Sequence, residues 1–180
     1  METVSDVKDC ALNRREIIIM GLFDKIFGKK LDEIGAPVAG EAVASSEVND
    51  PTFGEEMLGK GMAIRPSAGR VVAPCDATVD MMFETGHAVS LTTENGVEML
   101  IHVGIDTVNL QGKHYTVHCQ AGDKVKKGQL LIEFDKDAIA AEGYDTITPV
   151  VICNSDDFKT FEAVVGKVVA EGEAVIRLAK

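Results

Sequence analysis

The chain is short of positive charge: 18 Lys and Arg stand against 29 Asp and Glu in 180 residues, a net charge of −11 with histidine neutral. That deficit argues against a nucleic-acid partner, because nothing supplies the basic stripe that phosphate contacts require. No apolar run approaches the roughly 20 residues of a membrane-spanning helix. The stretch Glu16-Ile-Ile-Ile-Met20 is too short an apolar run for a secretory signal. Cys10, Cys75, Cys119 and Cys153 include no CxxC spacing, which weakens structural-metal and thioredoxin-like readings. Their even number would allow two disulfides, but nothing else points to secretion, and the expectation is a reduced, cytoplasmic protein.

What is present is β-sheet signal. At 180 residues the expectation is one domain with a substantial core. From Ile34 onward, short alternating or apolar runs are separated by Gly, Pro, Asn and Asp. AGEAVA, GMAIRP, GRVVAP, TVDMMF, HAVSLTT, VEMLIHV, YTVHC, QLLIEF, PVVIC, GKVVA and AVIRL make eleven candidate strands. Many short strands with turn residues between them predict an all-β antiparallel sandwich or barrel. One helix is predicted after Asp135, over Lys136 to Glu142, with an acidic start and Gly143 as its stop. A second short helical turn is expected over 156–161. Two phrases repeat weakly: APVAGEAV (36–43) resembles APCDATV (73–79), and AGDKVKKGQLLIEFD (121–135) resembles VAEGEAVIRL (169–178).

The chemistry concentrates between Phe83 and Asp106. Met99, Leu100 and Ile101 form an apolar run that ends on His102, followed by Val103 and Gly104. His87 stands fifteen residues earlier in FETGHAVSL. Runs 87–93 and 97–103 are separated by Glu94-Asn95-Gly96, and Asn-Gly between such runs signals a hairpin. Ideal pairing puts position 87 opposite a residue near 103 or 104, so the two imidazoles become cross-strand or diagonal neighbours. A lone core histidine bonded to a carbonyl is an ordinary finding; two brought together suggest a site. Neutral imidazole is a good nucleophile near neutral pH. Such attack needs one exposed, unprotonated ring nitrogen, with the other nitrogen's proton held by an acceptor, and a second imidazole can donate a hydrogen bond to the group attacked.

IHVGIDTV at 101–108, with FETGHAVSL upstream, resembles the type 1 (glucose-type) IIA enzymes of the phosphoenolpyruvate-dependent sugar phosphotransferase system. The resemblance runs from about Phe53 through GMAIRP and VVAPCDATV to TITPVVICN, and APVAGE (36–41) looks like the opening strand of stand-alone members. Ala77 departs from the family, which usually has glycine there. The resemblance implies a duplicated hybrid fold with one or two short helices, occupying 33–180 with its motif region at 51–155. It implies a phosphotransferase component in which His102 carries the phosphoryl group on Nε2 and His87 hydrogen-bonds it. Thr85 matches the threonine that orients the second histidine, or is simply a β-branched strand residue. Asp106 pairs with a basic group on the donor or caps the turn, and Gly104 lets a partner approach or serves the backbone. Phe53, Met57, Phe83, Val89 and Val103 match the docking surface, and each could equally be core. The donor would be HPr phosphohistidine and the acceptor a cysteine of a cognate IIB domain, with regulatory targets in addition. No cofactor and no metal is expected; two imidazoles would need a third ligand from outside to hold zinc.

The first nineteen residues match nothing in that family. Met20-Gly-Leu-Phe-Asp-Lys25 looks like a natural start, and the expectation is that translation begins at Met20, with 20–32 preceding the domain. Within it, Leu22, Phe23, Ile26 and Phe27 would share one face of a short helix at 21–30 that could touch anionic lipid weakly or remain a frayed leader.

Other readings have less support. Biotinyl and lipoyl carrier domains share the repeated phrases, but they present a lysine at a hairpin tip, and Lys126-Lys127 reads as a solvated pair. Zinc peptidases of the lysostaphin kind need a His-x-His pair with a His-x-x-x-Asp; no His-x-His occurs, and His114-x-x-x-His118 lacks the acid. His114 and His118 fall on one face of a predicted strand and read as structural or surface residues. A non-catalytic regulatory module of the same fold is the remaining alternative.

Overall fold

The computed structural model describes residues 31–180. The upstream extension at 1–19, the start at Met20 and the helix at 21–30 lie outside the described residues. Fourteen strands are found among the described residues: β1 (Asp32–Gly35), β2 (Gly40–Ala44), β3 (Lys60–Pro66), β4 (Arg70–Val72), β5 (Ala77–Met82), β6 (Ala88–Thr92), β7 (Glu98–His102), β8 (Tyr115–Val117), β9 (Lys124–Val125), β10 (Leu130–Phe134), β11 (Thr148–Ile152), β12 (Thr160–Ala163), β13 (Lys167–Val169) and β14 (Ala174–Ala179). Two short helices interrupt them, α1 (Pro51–Gly54) and α2 (Lys136–Ala141). The all-β antiparallel expectation holds. Eleven strands were legible; β1, β9 and β12 were not, being short, charged or outside any apolar run. Two further differences concern ends of segments. The chain's first described strand is β1, with residues 36–39 passing between strands. The helical turn expected at 156–161 covers only Ser155–Asp157 before β12 begins.

An eight-stranded sheet runs in the order β13-β2-β3-β11-β7-β6-β5-β9, with three-stranded sheets β1-β14-β12 and β4-β10-β8 beside it. The order explains the sequence repeat. Ala36 N–H donates to Glu173 O at 2.7 Å and Gly172 N–H to Ala36 O at 2.8 Å; Ala73 N–H donates to Gln129 O at 2.8 Å and Gly128 N–H to Ala73 O at 2.8 Å. The two A-P phrases thus make the same contacts with the two turn phrases. Strand pairing repeats as well, β2 with β13 and β5 with β9. Ala77, where the family usually has glycine, simply opens β5 opposite Val125.

Helix α2 ends as its sequence predicts. The Asp135 side chain accepts from Ala138 N at 3.0 Å, satisfying one of the free donors at the helix start, and Gly143 takes φ +90° just after the end.

The core is aliphatic, with Ile34, Met62, Ile64, Leu91, Met99, Ile101, Leu131, Ile132, Ile152 and Ile176 fully buried. A smaller cluster of Val43, Val48, Phe53, Ala63, Ile147 and Val151, with Leu100 and Ile105 against it, forms beside the main one. Leu91 pairs with Met99 inside the β6–β7 hairpin. Leu91→Ala is therefore expected to lower unfolding stability by about 2–5 kcal/mol. Urea unfolding checks this as a lower midpoint at unchanged slope.

Candidate functional site

The β6–β7 hairpin positions both histidines. Ladder pairing runs from Ala88 opposite His102 to Thr92 opposite Glu98. The turn closes through Thr93 N–H to Val97 O at 3.0 Å and Gly96 N–H to Thr93 O at 3.0 Å, with Gly96 at φ +79°, a conformation glycine adopts without steric cost. One step beyond the ladder, Val103 N–H donates to His87 O at 2.7 Å. Position 87 thus lies opposite 103, within the range the turn implies. Because His87 sits in a bend just before β6, strand alternation does not turn its ring away from His102. The two rings meet edge to face, centroids 4.8 Å apart and planes at 76°.

His102 Nδ1 lies 2.7 Å from Gly104 O. A carbonyl oxygen only accepts, so the neutral ring carries its proton on Nδ1 and leaves the Nε2 lone pair free. His87 Nδ1 lies 2.5 Å from Thr85 Oγ1. With the hydroxyl donating, the His87 proton sits on Nε2 as a hydrogen-bond donor. The network thus assigns one ring a free lone pair and allows the other a free N–H.

Both rings are held neutral. Burial, and then the proximity of His102, pushes the His87 imidazole down to about 4; the residue is 4% exposed. Burial also lowers His102, opposed by its bond to Gly104 and by the carboxylates of Asp50 and Asp106. A proton bound by His87 in the unfolded chain is lost on folding between pH 6.5 and about 4. Stability from this ring is therefore fully present above the unfolded value and falls as pH drops through that window. His87→Gln is expected to remove about 2 kcal/mol of the stability change between pH 7.5 and pH 5, read by urea unfolding at both pH values.

Phe53 and Phe83 wall the pair. Phe53, buried on α1, stacks obliquely on His102 at 5.0 Å between centroids. Half-buried Phe83 meets His87 edge-on at 5.3 Å. Met57, at 70% exposed, lies on the surface. Val89 and Val103 do not: both are fully buried, which corrects their assignment to a docking surface. They lie inside the largest apolar cluster, beyond reach of another protein.

Three further expectations change. Gly104 takes φ +80° and is buried, and a Cβ there would come within 2.5 Å of Thr107 Cγ2 and 2.8 Å of Asp145 O. Its glycine serves close packing within the chain rather than approach by a partner. Asp106 takes φ +58° and its side chain caps nothing; the exposed carboxylate acts instead through its field on His102. The strand expected at 115–119 is only β8, so His114 and His118 do not share a strand face. His114, at φ +73°, lies 2.6 Å from Glu142, and His118 lies 2.6 Å from Glu133. Lys126 and Lys127 are exposed, as expected of a solvated pair, and Lys126 Nζ pairs with Asp76 at 2.7 Å.

Sequence reasoning overlooked Asp50, Tyr115 and the exposed Val108. Asp50 before Pro51 was a readable helix-start signal: its Oδ1 accepts from Thr52 N at 2.8 Å. Among the described residues, no group of three or more His, Cys, Asp or Glu is placed to hold a metal ion, and no helix is long and apolar enough to cross a membrane.

Comparison with known proteins gives concordant results. A family model described as phosphoenolpyruvate-dependent sugar phosphotransferase system, EIIA 1, matches residues 32–158. The glucose-specific EIIA component of Haemophilus influenzae is 41% identical over 166 residues, covering 89% of this chain and 100% of the relative. The β-glucoside-specific EIIBCA component of Dickeya chrysanthemi is 52% identical over 134 residues, which is 74% of this chain but only 21% of the relative. Among solved structures, glucose permease IIA from Mycoplasma capricolum superposes with a TM-score of 0.76 at 32% identity, covering 84% of this chain and 97% of the other.

Proposed function

This chain belongs to the EIIA 1 family of the phosphoenolpyruvate-dependent sugar phosphotransferase system and is a glucose-type phosphoryl carrier; on that premise we propose that His102 Nε2 carries the phosphoryl group. The donor in this reading is the phosphohistidine of HPr. Its P–N bond breaks, the donor ring keeps the electron pair, and a bond forms between phosphorus and His102 Nε2. The Nδ1 proton stays on His102, and the positive charge gained by the ring is held by Gly104 O and favoured by Asp50 and Asp106. His87 Nε2–H, with its ring held through Thr85, donates to a phosphoryl oxygen. In the onward step a cysteine thiolate of a IIB domain attacks phosphorus, and the electron pair of the breaking P–N bond returns to Nε2. A IIB partner is supported by relatives that join EIIA to EIIB and EIIC in one polypeptide.

The observation that carries this reading is the 2.7 Å contact of His102 Nδ1 with Gly104 O, which leaves Nε2 as the nucleophile. Incubation with phosphoenolpyruvate, enzyme I and HPr is expected to add one acid-labile phosphoryl group, seen by intact mass, with a phosphorus resonance of the Nε2-linked form. Absence of any adduct would leave the regulatory-module reading instead.

A further inference from the structure

The His102 tautomer depends on where Gly104 O points, and the backbone there is held from outside the hairpin. The peptide between residues 103 and 104 is fixed at both ends. Gly104 N–H donates to Ile147 O at 3.1 Å, while Val103 O accepts from Thr107 Oγ1 at 2.7 Å and from Tyr115 Oη at 3.0 Å. The next peptide is tied by Ile105 N–H to Asp145 O at 2.9 Å. Thr107 is 0% exposed, and its methyl fills the space beside Gly104, where a Cβ would come within 2.5 Å of Thr107 Cγ2. This single side chain thus bonds the Val103 carbonyl and wedges the Gly104 α-carbon.

Resting on the carrier reading above, we infer that Thr107, assisted by Tyr115, is a positioning residue for phosphoryl transfer. It locks the Val103–Gly104 backbone so that Gly104 O captures the Nδ1 proton of His102 and Nε2 stays unprotonated. Which imidazole nitrogen carries the proton is set by the hydrogen bond the other makes. A Gly104 carbonyl free to rock would let the proton move to Nε2, where it blocks the nucleophile. A threonine that only back-bonds to the carbonyl four residues earlier would stabilise the turn without affecting the ring.

The two roles separate in the unphosphorylated protein. Nitrogen NMR of the His102 ring in wild type is expected to show Nδ1 protonated and Nε2 unprotonated. In Thr107→Val with Tyr115→Phe, both nitrogens should move toward the averaged shifts of mixed tautomers. The rate of phosphorylation by phospho-HPr should fall roughly fivefold on loss of one hydroxyl and on the order of 25-fold on loss of both. Thr107→Ser keeps the hydroxyl and should restore the wild-type tautomer. Tyr115→Phe alone tests the same point in the half-buried ring should Thr107→Val fail to fold. Wild-type ring shifts in the variants would overturn the inference even if their melting temperature dropped. The tautomer is read without any phosphoryl transfer, so a correct tautomer in a wild type that accepts no phosphate would instead refute the carrier reading.

Discussion

His102→Ala is expected to leave no acid-labile phosphate after incubation with phosphoenolpyruvate, enzyme I and HPr, a loss of at least ~10⁴-fold in acceptance rate. No other imidazole is placed to substitute. His87 is 4% exposed, with Nδ1 engaged by Thr85. His114 and His118 are occupied by Glu142 and Glu133. The variant should still fold, because His102 ends its strand half-buried, and its ladder bonds are made by backbone that alanine retains. A circular-dichroism melt close to wild type would verify that. Phosphate mapped to His87 in the variant would move the nucleophile to the other ring and overturn the division of roles.

His87→Gln should behave differently. The His102 lone pair is untouched, so acceptance is expected to persist within about tenfold. Onward transfer to a IIB cysteine is expected to fall about 10²–10³-fold, the usual cost of removing one preorganised donor to developing charge. The asymmetry follows from charge. In the first step the donor protein's own groups still flank the phosphoryl group. In the second, a thiolate brings negative charge toward the phosphoryl oxygens, and the missing N–H matters more. Stopped-flow transfer from the phosphorylated variant to a purified IIB domain separates the steps. Loss of acceptance itself would show that His87, not His102, limits the first step.

The hairpin shows what a sequence can carry. Asn95-Gly96 between two apolar runs fixes the turn, the turn fixes the pairing, and the pairing brings together rings fifteen residues apart. Every step is local, so no knowledge of the rest of the molecule is needed. The A-P phrases and the turn phrases that carry Gly128-Gln129 and Gly172-Glu173 were equally readable as repeats. Their shared hydrogen bonds across the sheets are long-range and appear only in the fold.

Docking residues were read less well, for a definite reason. Strands β6 and β7 lie inside the eight-stranded sheet, with one face in the main apolar cluster and the other only partly covered near the site. Ile101 and Val89 belong to one cluster and Leu100 packs on the other. The second face keeps solvent contact, with Glu98 exposed and Ser90, Thr92 and Leu100 half-buried; Val89 and Val103 fall on the fully buried face, so of the docking and core readings left open for them the core reading holds.

The sequence by itself determined the all-β class, the duplicated phrases and the adjacency of His87 and His102, because each follows from turn chemistry and short-range periodicity. Only the tertiary structure decided which nitrogen of His102 is free, how strongly burial lowers both imidazoles, and which phenylalanines wall them. Those depend on Asp50 and Phe53 from the α1 end, on Asp145 and Ile147 before β11, and on Thr107 and Tyr115 beyond the hairpin. These groups are brought to the site by packing between distant segments, and packing leaves no period in the sequence.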